Sequence, residues 1–148
     1  MTDFYLTQSD ADQLIAVEKH REDKEVYDFP SNGESLSIPL KSADKREDFM
    51  IDIYRGKINL LKTTNQTRAR KVVPLVRLDF GGSPHQNPDG TEVPCPHIHI
   101  YREGYADKWA FPLPEDIFSG TSDRIQMLNE FMSYCNVTKK PNIQGAIW

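Results

Sequence analysis

The apolar positions change period along this chain. Ala11, Leu14, Ile15 and Val17 recur at helical spacing,. Ser9 offers a capping oxygen ahead of them, and Asp10 and Asp12 place acids in the first turn,. This predicts a helix over 9–21 after a short lead-in over 1–8. Residues 26–34 read as irregular and end in the turn Pro30-Ser31-Asn32-Gly33,. The period then becomes two. Leu36, Ile38 and Leu40 alternate, as do Phe49, Ile51 and Ile53,. Arg55-Gly56-Lys57 signals a tight hairpin, with Ile58, Leu60 and Leu61 opening the next strand,. Val72 to Phe80 predicts another strand, in which Pro74 marks an edge or a bulge,. His97–Tyr101 and Trp109–Leu113 complete the series. Helical spacing returns with Ile125, Leu128, Phe131, Met132 and Cys135, capped by Thr121 or Ser122 with Asp123 in the first turn,. Asn136 stops that helix, and an extended tail ends in Trp148, which is expected to fold back onto the body. The expected class is α+β: one antiparallel sheet of about six strands in a meander, with an N-terminal and a C-terminal helix, in a single domain over 1–148.

Composition narrows the functional classes. With 148 residues, 38% hydrophobic and 27% charged, the chain reads as a polar globular protein with room for a core,. It has no membrane-length apolar run and no basic-then-apolar leader,. Two cysteines make no disulfide framework, so a reducing, cytoplasmic setting is expected, in which Cys95 is free to ligate metal,. The net charge of −4 disfavours general nucleic-acid binding and suits a basic protein surface as partner,.

The candidate chemistry lies between Asp79 and Tyr101. Three of the four histidines, His85, His97 and His99, fall in this stretch together with Cys95. Cys95, His97 and His99 are two apart each time, so an extended strand places them on one face. Asn87-Pro88-Asp89-Gly90 is turn chemistry that would fold His85 back toward them,. Three imidazoles and a thiolate make a tetrahedral zinc set, so His85, Cys95, His97 and His99 are the expected ligands and Zn2+ the expected cofactor. The spacing is not that of a zinc finger, and a strand histidine also serves simply by bonding its neighbours. Asp79 and Glu92 flank the cluster as a further ligand, an orienting partner for an imidazole, or a general base. Asp89 reads as a turn residue, His20 as a solvated histidine in a charged segment, and Cys135 as a buried hydrophobe. The basic run from Lys62 to Lys71 reads as the solvated tip of a long hairpin more readily than as a phosphate contact. Gly81-Gly82-Ser83-Pro84 lacks the lysine and helix of a phosphate loop.

The segment Leu78-Asp79-Phe80-Gly81-Gly82-Ser83-Pro84-His85-Gln86-Asn87-Pro88-Asp89-Gly90, continued by Pro94-Cys95-Pro96-His97-Ile98-His99-Ile100-Tyr101 and on to Ala110, resembles an uncharacterised family of bacteria and their prophages. The resemblance runs from about Gly33 to Gly145 and implies no activity. In size, acidity and histidine cluster the chain also resembles the zinc-containing phage anti-CRISPR proteins. That likeness implies direct inhibition of a host defence nuclease such as Cas9, with no catalysis and no nucleic acid bound. The histidine-rich strand is further similar to small toxin ribonucleases. The expected function is inhibition of a host nuclease by direct binding, without enzymatic activity, and a metal-dependent hydrolase or ribonuclease is the alternative. In the first, zinc is structural, four protein ligands close its shell, and the acidic chain occupies a basic nuclease. In the second, the protein is a metal-dependent hydrolase or ribonuclease: His85, His97 and His99 bind metal, Asp79 or Glu92 is the base, and Arg68 or Arg70 holds phosphate. Four protein ligands argue for structure, and three with an open position argue for catalysis.

Overall fold

The alternation of apolar side chains is what builds the sheet. In the computed structural model, which describes residues 5–148, α1 (Gln8–Ala16) is followed by β1 (Lys19–Arg21), β2 (Val26–Tyr27), β3 (Ser35–Ser42), β4 (Asp48–Arg55), β5 (Thr63–Ala69) and β6 (Val73–Phe80). Next come β7 (His85–Gln86), β8 (Glu92–Val93), β9 (His97–Ile100), β10 (Ala110–Pro112), α2 (Arg124–Tyr134), β11 (Val137–Lys139) and β12 (Asn142–Ile143). Ile38, Leu40, Phe49, Ile51, Ile53, Leu75, Leu78 and Ile98 are fully buried on one face of the sheet. Leu14 of α1 and Leu128, Phe131 and Met132 of α2 join them in one core cluster. Burying each such side chain stabilises the fold by roughly 1.5–3 kcal/mol. The opposite face is polar along β3 to β6, and there the functional residues lie.

The α+β class holds, but the sheet is larger than a six-stranded meander and is not purely antiparallel. Eight strands pair in the order β10-β9-β6-β5-β4-β3-β1-β11, and two small two-stranded sheets, β12-β2 and β7-β8, stand beside them. The extra strands come from the ends of the chain. The helix expected over 9–21 stops at Ala16, capped at its start by Thr7, whose side chain accepts from the Asp10 N–H. Lys19 then runs extended and carries its ammonium into the interior, where it donates to the main-chain oxygens of Ile15 at 2.8 Å, Val17 at 3.0 Å and Cys135 at 2.8 Å. One cation thus serves orphan carbonyls at the C-terminal ends of both helices. After α2, Asn136 turns the chain at φ 58°, and Val137–Lys139 pairs with β1 in parallel. That pairing adds the edge strand of the sheet. Of the lead-in expected over 1–8, residues 1–4 lie outside the described part, and Leu6 is already buried.

Two more expectations change around β5. Ile58, Leu60 and Leu61 do not open a strand; they lie exposed in the β4–β5 turn, at 96%, 51% and 66% accessibility. Most of the basic run from Lys62 is an interior strand, Thr63–Ala69, between β4 and β6, and only Arg70 and Lys71 lie in the turn of the β5–β6 hairpin. The strand's inward residues are Thr63, Asn65, Thr67 and Ala69, so the alternation is real but mostly polar. Arg124 of α2 donates to Thr63 Oγ1 at 3.2 Å on that face. Pro74 sits at a register shift between β5 and β6, which is the bulge alternative, not the edge,. The C-terminal helix starts later than 121, with Asp123 as its cap, accepting from the Ile125 N–H at 3.0 Å. Among the described residues no helix is long and apolar enough to cross a membrane.

Candidate metal centre

Strand register sets the site. Asp79 of β6 pairs with His97 of β9, and Arg77 pairs with His99. Side chains opposite one another in a pair share a face, as do residues two apart along a strand. All four side chains therefore project from one patch of the polar face, while Leu78 and Ile98 between them point into the core. His97 and His99 are nevertheless only 2% and 1% exposed. The β7–β8 hairpin lies over the patch from one side and the 102–109 loop from the other. Asn87 ties the hairpin down: it is buried, donates to the Ala110 main-chain oxygen at 3.1 Å and accepts from the Ala110 N–H at 2.8 Å. His85 is thereby brought back to the cluster, its ring centroid 4.5 Å from that of His99 and 5.9 Å from that of His97.

Main-chain acceptors set the protonation of each ring. A carbonyl oxygen only accepts, so the ring nitrogen facing it carries the hydrogen. His99 Nδ1 donates to the Asp107 oxygen at 2.8 Å, His97 Nδ1 to the Pro94 oxygen at 3.3 Å, and His85 Nε2 to the Lys108 oxygen at 2.7 Å. In the neutral ring this leaves a lone pair on Nε2 of His97, Nε2 of His99 and Nδ1 of His85. Burial pushes the His97 pKa down, against the pull of Asp79, which favours the neutral form,. Asp79 Oδ2 lies close to both bare nitrogens, 3.3 Å from His97 Nε2 and 3.2 Å from His99 Nε2. The ligand atoms of Asp79, His97 and His99 all lie within 4.8 Å of one another. Burial alone would raise the Asp79 pKa, but the Arg77 guanidinium beside it holds it well below the ordinary carboxylate range. The carboxyl is an anion at neutral pH.

Three acceptors converging with so little water access need a cation between them. The spacing suits a metal. Tetrahedral zinc with bonds of about 2.0–2.1 Å has ligand atoms about 3.3 Å apart. Fixing the second ring nitrogen of a histidine by a carbonyl is also the arrangement that orients metal ligands. In the absence of a metal, Arg77 supplies the positive charge, donating through Nε to Asp79 Oδ2 at 3.3 Å, through Nη2 to His99 Nε2 at 3.0 Å and through Nη1 to Asp107 Oδ2 at 2.8 Å.

The other expected residues are placed as follows. The Cys95 thiol donates to the Asp79 main-chain oxygen at 3.2 Å and accepts from the Gly82 N–H at 3.4 Å, so it braces the turn after β6 and is not among the converging atoms. Glu92 is exposed on β8, paired with Gln86. Asp89 caps its own turn, accepting from the Thr91 N–H at 2.9 Å. Arg68 is held by Asp52 through two hydrogen bonds, at 2.6 and 2.8 Å, and Arg70 lies near Glu47 at the far end of β5. His20 sits on β1 against Glu18 at 2.7 Å, and Cys135 is buried. Arg77 and Asp107 were not singled out from the sequence, and Asn87 only as part of the turn that folds His85 back, without its bonds to Ala110. Arg77 had a signal, since it stands two before Asp79 on a strand whose parity was known; the other two depend on contacts made across loops.

No curated protein and no solved structure matches the chain. A family model does match, over residues 6–137, which takes in both helices, the cluster and most of the sheet; the chain belongs to this family, described as a family of unknown function, DUF6978.

Proposed function

We propose that this chain is a zinc-binding protein with an open, catalytic type of centre, in which Asp79, His97 and His99 hold the metal and the protein acts as a metal-dependent hydrolase. The observation that carries the reading is the Cys95 thiol, which is spent on main-chain groups and leaves three protein ligands where a closed site has four,. A metal held by Asp79, His97 and His99 would supply a Lewis acid and acidify a bound water. The protein's own groups serve around it. Asp79 contributes the anionic ligand, and the main-chain oxygens of Pro94 and Asp107 hold the imidazoles in the ligating tautomer. His85, half-buried at the rim and with Nδ1 free of hydrogen, is placed to accept a proton,.

A second reading rests on the same histidine. Its ring stands 4.5 Å from that of His99, close enough for a small rotation to make His85 a fourth ligand. The shell would then be closed and the zinc structural. The chain, at net charge −4, would act by occupying a basic partner, with a host nuclease such as Cas9 as the first to test,. One set of measurements separates the two. Elemental analysis should give about one zinc per chain, and X-ray absorption should show nitrogen and oxygen ligands without sulfur. Zinc-loaded protein should turn over an activated ester or RNA, with loss on His99→Ala. Absence of transition metal removes both readings. Full occupancy with four protein ligands, no turnover and inhibition of Cas9 cleavage selects the second.

A further inference from the structure

We propose that Arg77 is a built-in competitor for the metal, holding the site shut as a cation of the protein's own until a divalent ion displaces it toward Asp107. The inference rests on the assignment of Asp79, His97 and His99 as metal ligands and concerns how that site is loaded.

The guanidinium engages two of the three ligands at once. Its Nη2 is 3.0 Å from His99 Nε2 and its Nε is 3.3 Å from Asp79 Oδ2. The lone pair of His99 is directed at Nη2, and a zinc ion would have to lie on that same lone pair at about 2.0–2.1 Å. Both cannot use it. The third contact explains where the side chain goes. Nη1 donates to the Asp107 carboxylate at 2.8 Å, from the loop that covers the site. Asp107 is not in the converging ligand set, so this contact survives metal entry and holds the guanidinium at the rim. The loop is tied to the site by its own main chain as well, since the Asp107 oxygen accepts from His99 Nδ1. Charge fits the exchange. Asp79, Asp107 and Arg77 together carry one net negative charge, which a divalent ion converts to one net positive charge.

The test is zinc affinity, measured by competition against a chromophoric chelator, for the wild type, Arg77→Met, Arg77→Lys and Asp107→Ala, each first checked for native circular dichroism. Arg77→Met should bind zinc at least tenfold more tightly. Asp107→Ala should bind more weakly, because the guanidinium loses the partner that draws it off. Arg77→Lys should also bind several-fold more tightly, since an ammonium keeps the charge but not the planar fork that reaches Asp79, His99 and Asp107 together. Weaker binding in Arg77→Met would make Arg77 a support of the site and overturn the proposal. Wild-type affinity in Arg77→Lys would leave charge alone as the cause and overturn the displacement. If no form binds zinc, the metal assignment itself fails and the competition falls with it. Should Arg77→Met not fold, Arg77→Gln takes its place with the same expected direction.

Discussion

At the scale of single residues, the site separates groups that look alike in sequence. Cys95 and Asp79 were both eligible to complete a His-rich set, and strand parity put Cys95 in line with His97 and His99. The chain leaves extended geometry before it reaches the thiol, since β9 begins only at His97. Parity therefore holds for His97 and His99 and lapses one step earlier. Asp79 gains its place by lying opposite His97 on the neighbouring strand, a relation between strands that no local spacing reveals. Two substitutions should behave in opposite ways. Asp79→Asn should abolish stoichiometric zinc binding, since the anionic ligand is lost. Cys95→Ser should leave the zinc stoichiometry at wild-type level, because a hydroxyl can still bond the Asp79 oxygen and no metal–sulfur bond is lost. Equilibrium dialysis followed by elemental analysis reads both, and loss of zinc in Cys95→Ser would return the thiol to the ligand set.

At the scale of elements, what was legible followed apolar alternation, and what was not followed polar packing. β3, β4 and β6 carry Ile38, Ile51 and Leu78 at the expected period. β5 was missed because its inward residues are threonine and asparagine, whereas Ile58, Leu60 and Leu61 drew the eye to a turn. Gly81 shows why that turn is fixed: its φ is +73°, and a Cβ there would lie 2.2 Å from the Leu61 oxygen,. The same polar pairing makes a measurable contribution on the outer face. Asp52 of β4 is ionised below its usual range; burial opposes this, and the Arg68 fork with the Ser37 hydroxyl outweighs it. A lowered carboxyl pKa gives stability that is present above the unfolded value of about 3.9 and is lost as pH falls through the folded value. Asp52→Asn should cost about 1–2 kcal/mol in urea unfolding at pH 7, for a partly buried bidentate pair. The gap to wild type should narrow as pH drops below about 4. A gap that stays constant from pH 7 to pH 3 would mean the ionised carboxylate adds no net stability.

At the scale of the whole molecule, segments far apart in sequence meet, β1 with β11 and β2 with β12. Lys19, Asn136 and the β1–β11 pairing tie the C-terminal ends of both helices to one edge of the sheet, while the candidate metal centre lies toward the other edge, on β6 and β9. The helices were legible as apolar stripes; their mutual lock was not, since it depends on a buried lysine whose partners are main-chain oxygens. The centre itself binds the β7–β8 hairpin and the 102–109 loop to strands that are already paired. Metal should therefore add to a fold that exists without it. A ligand that binds only the native state stabilises by about 2.7 kcal/mol when present at a hundred times its Kd. For a chain of this length that corresponds to a rise in Tm of roughly 5–10 °C. Calorimetry of chelator-treated protein with and without saturating zinc should show that rise in the wild type. His97→Ala should unfold at lower temperature than wild type without zinc, because removing a buried ring leaves a cavity between strand and loop, and it should gain nothing on zinc addition. His20→Ala, on the opposite side of the sheet order and outside the ligand set, should respond to zinc as the wild type does. An equal zinc-induced rise in His97→Ala would place the ion elsewhere on the molecule, and no rise in any form would leave Arg77 as the permanent cation of the site.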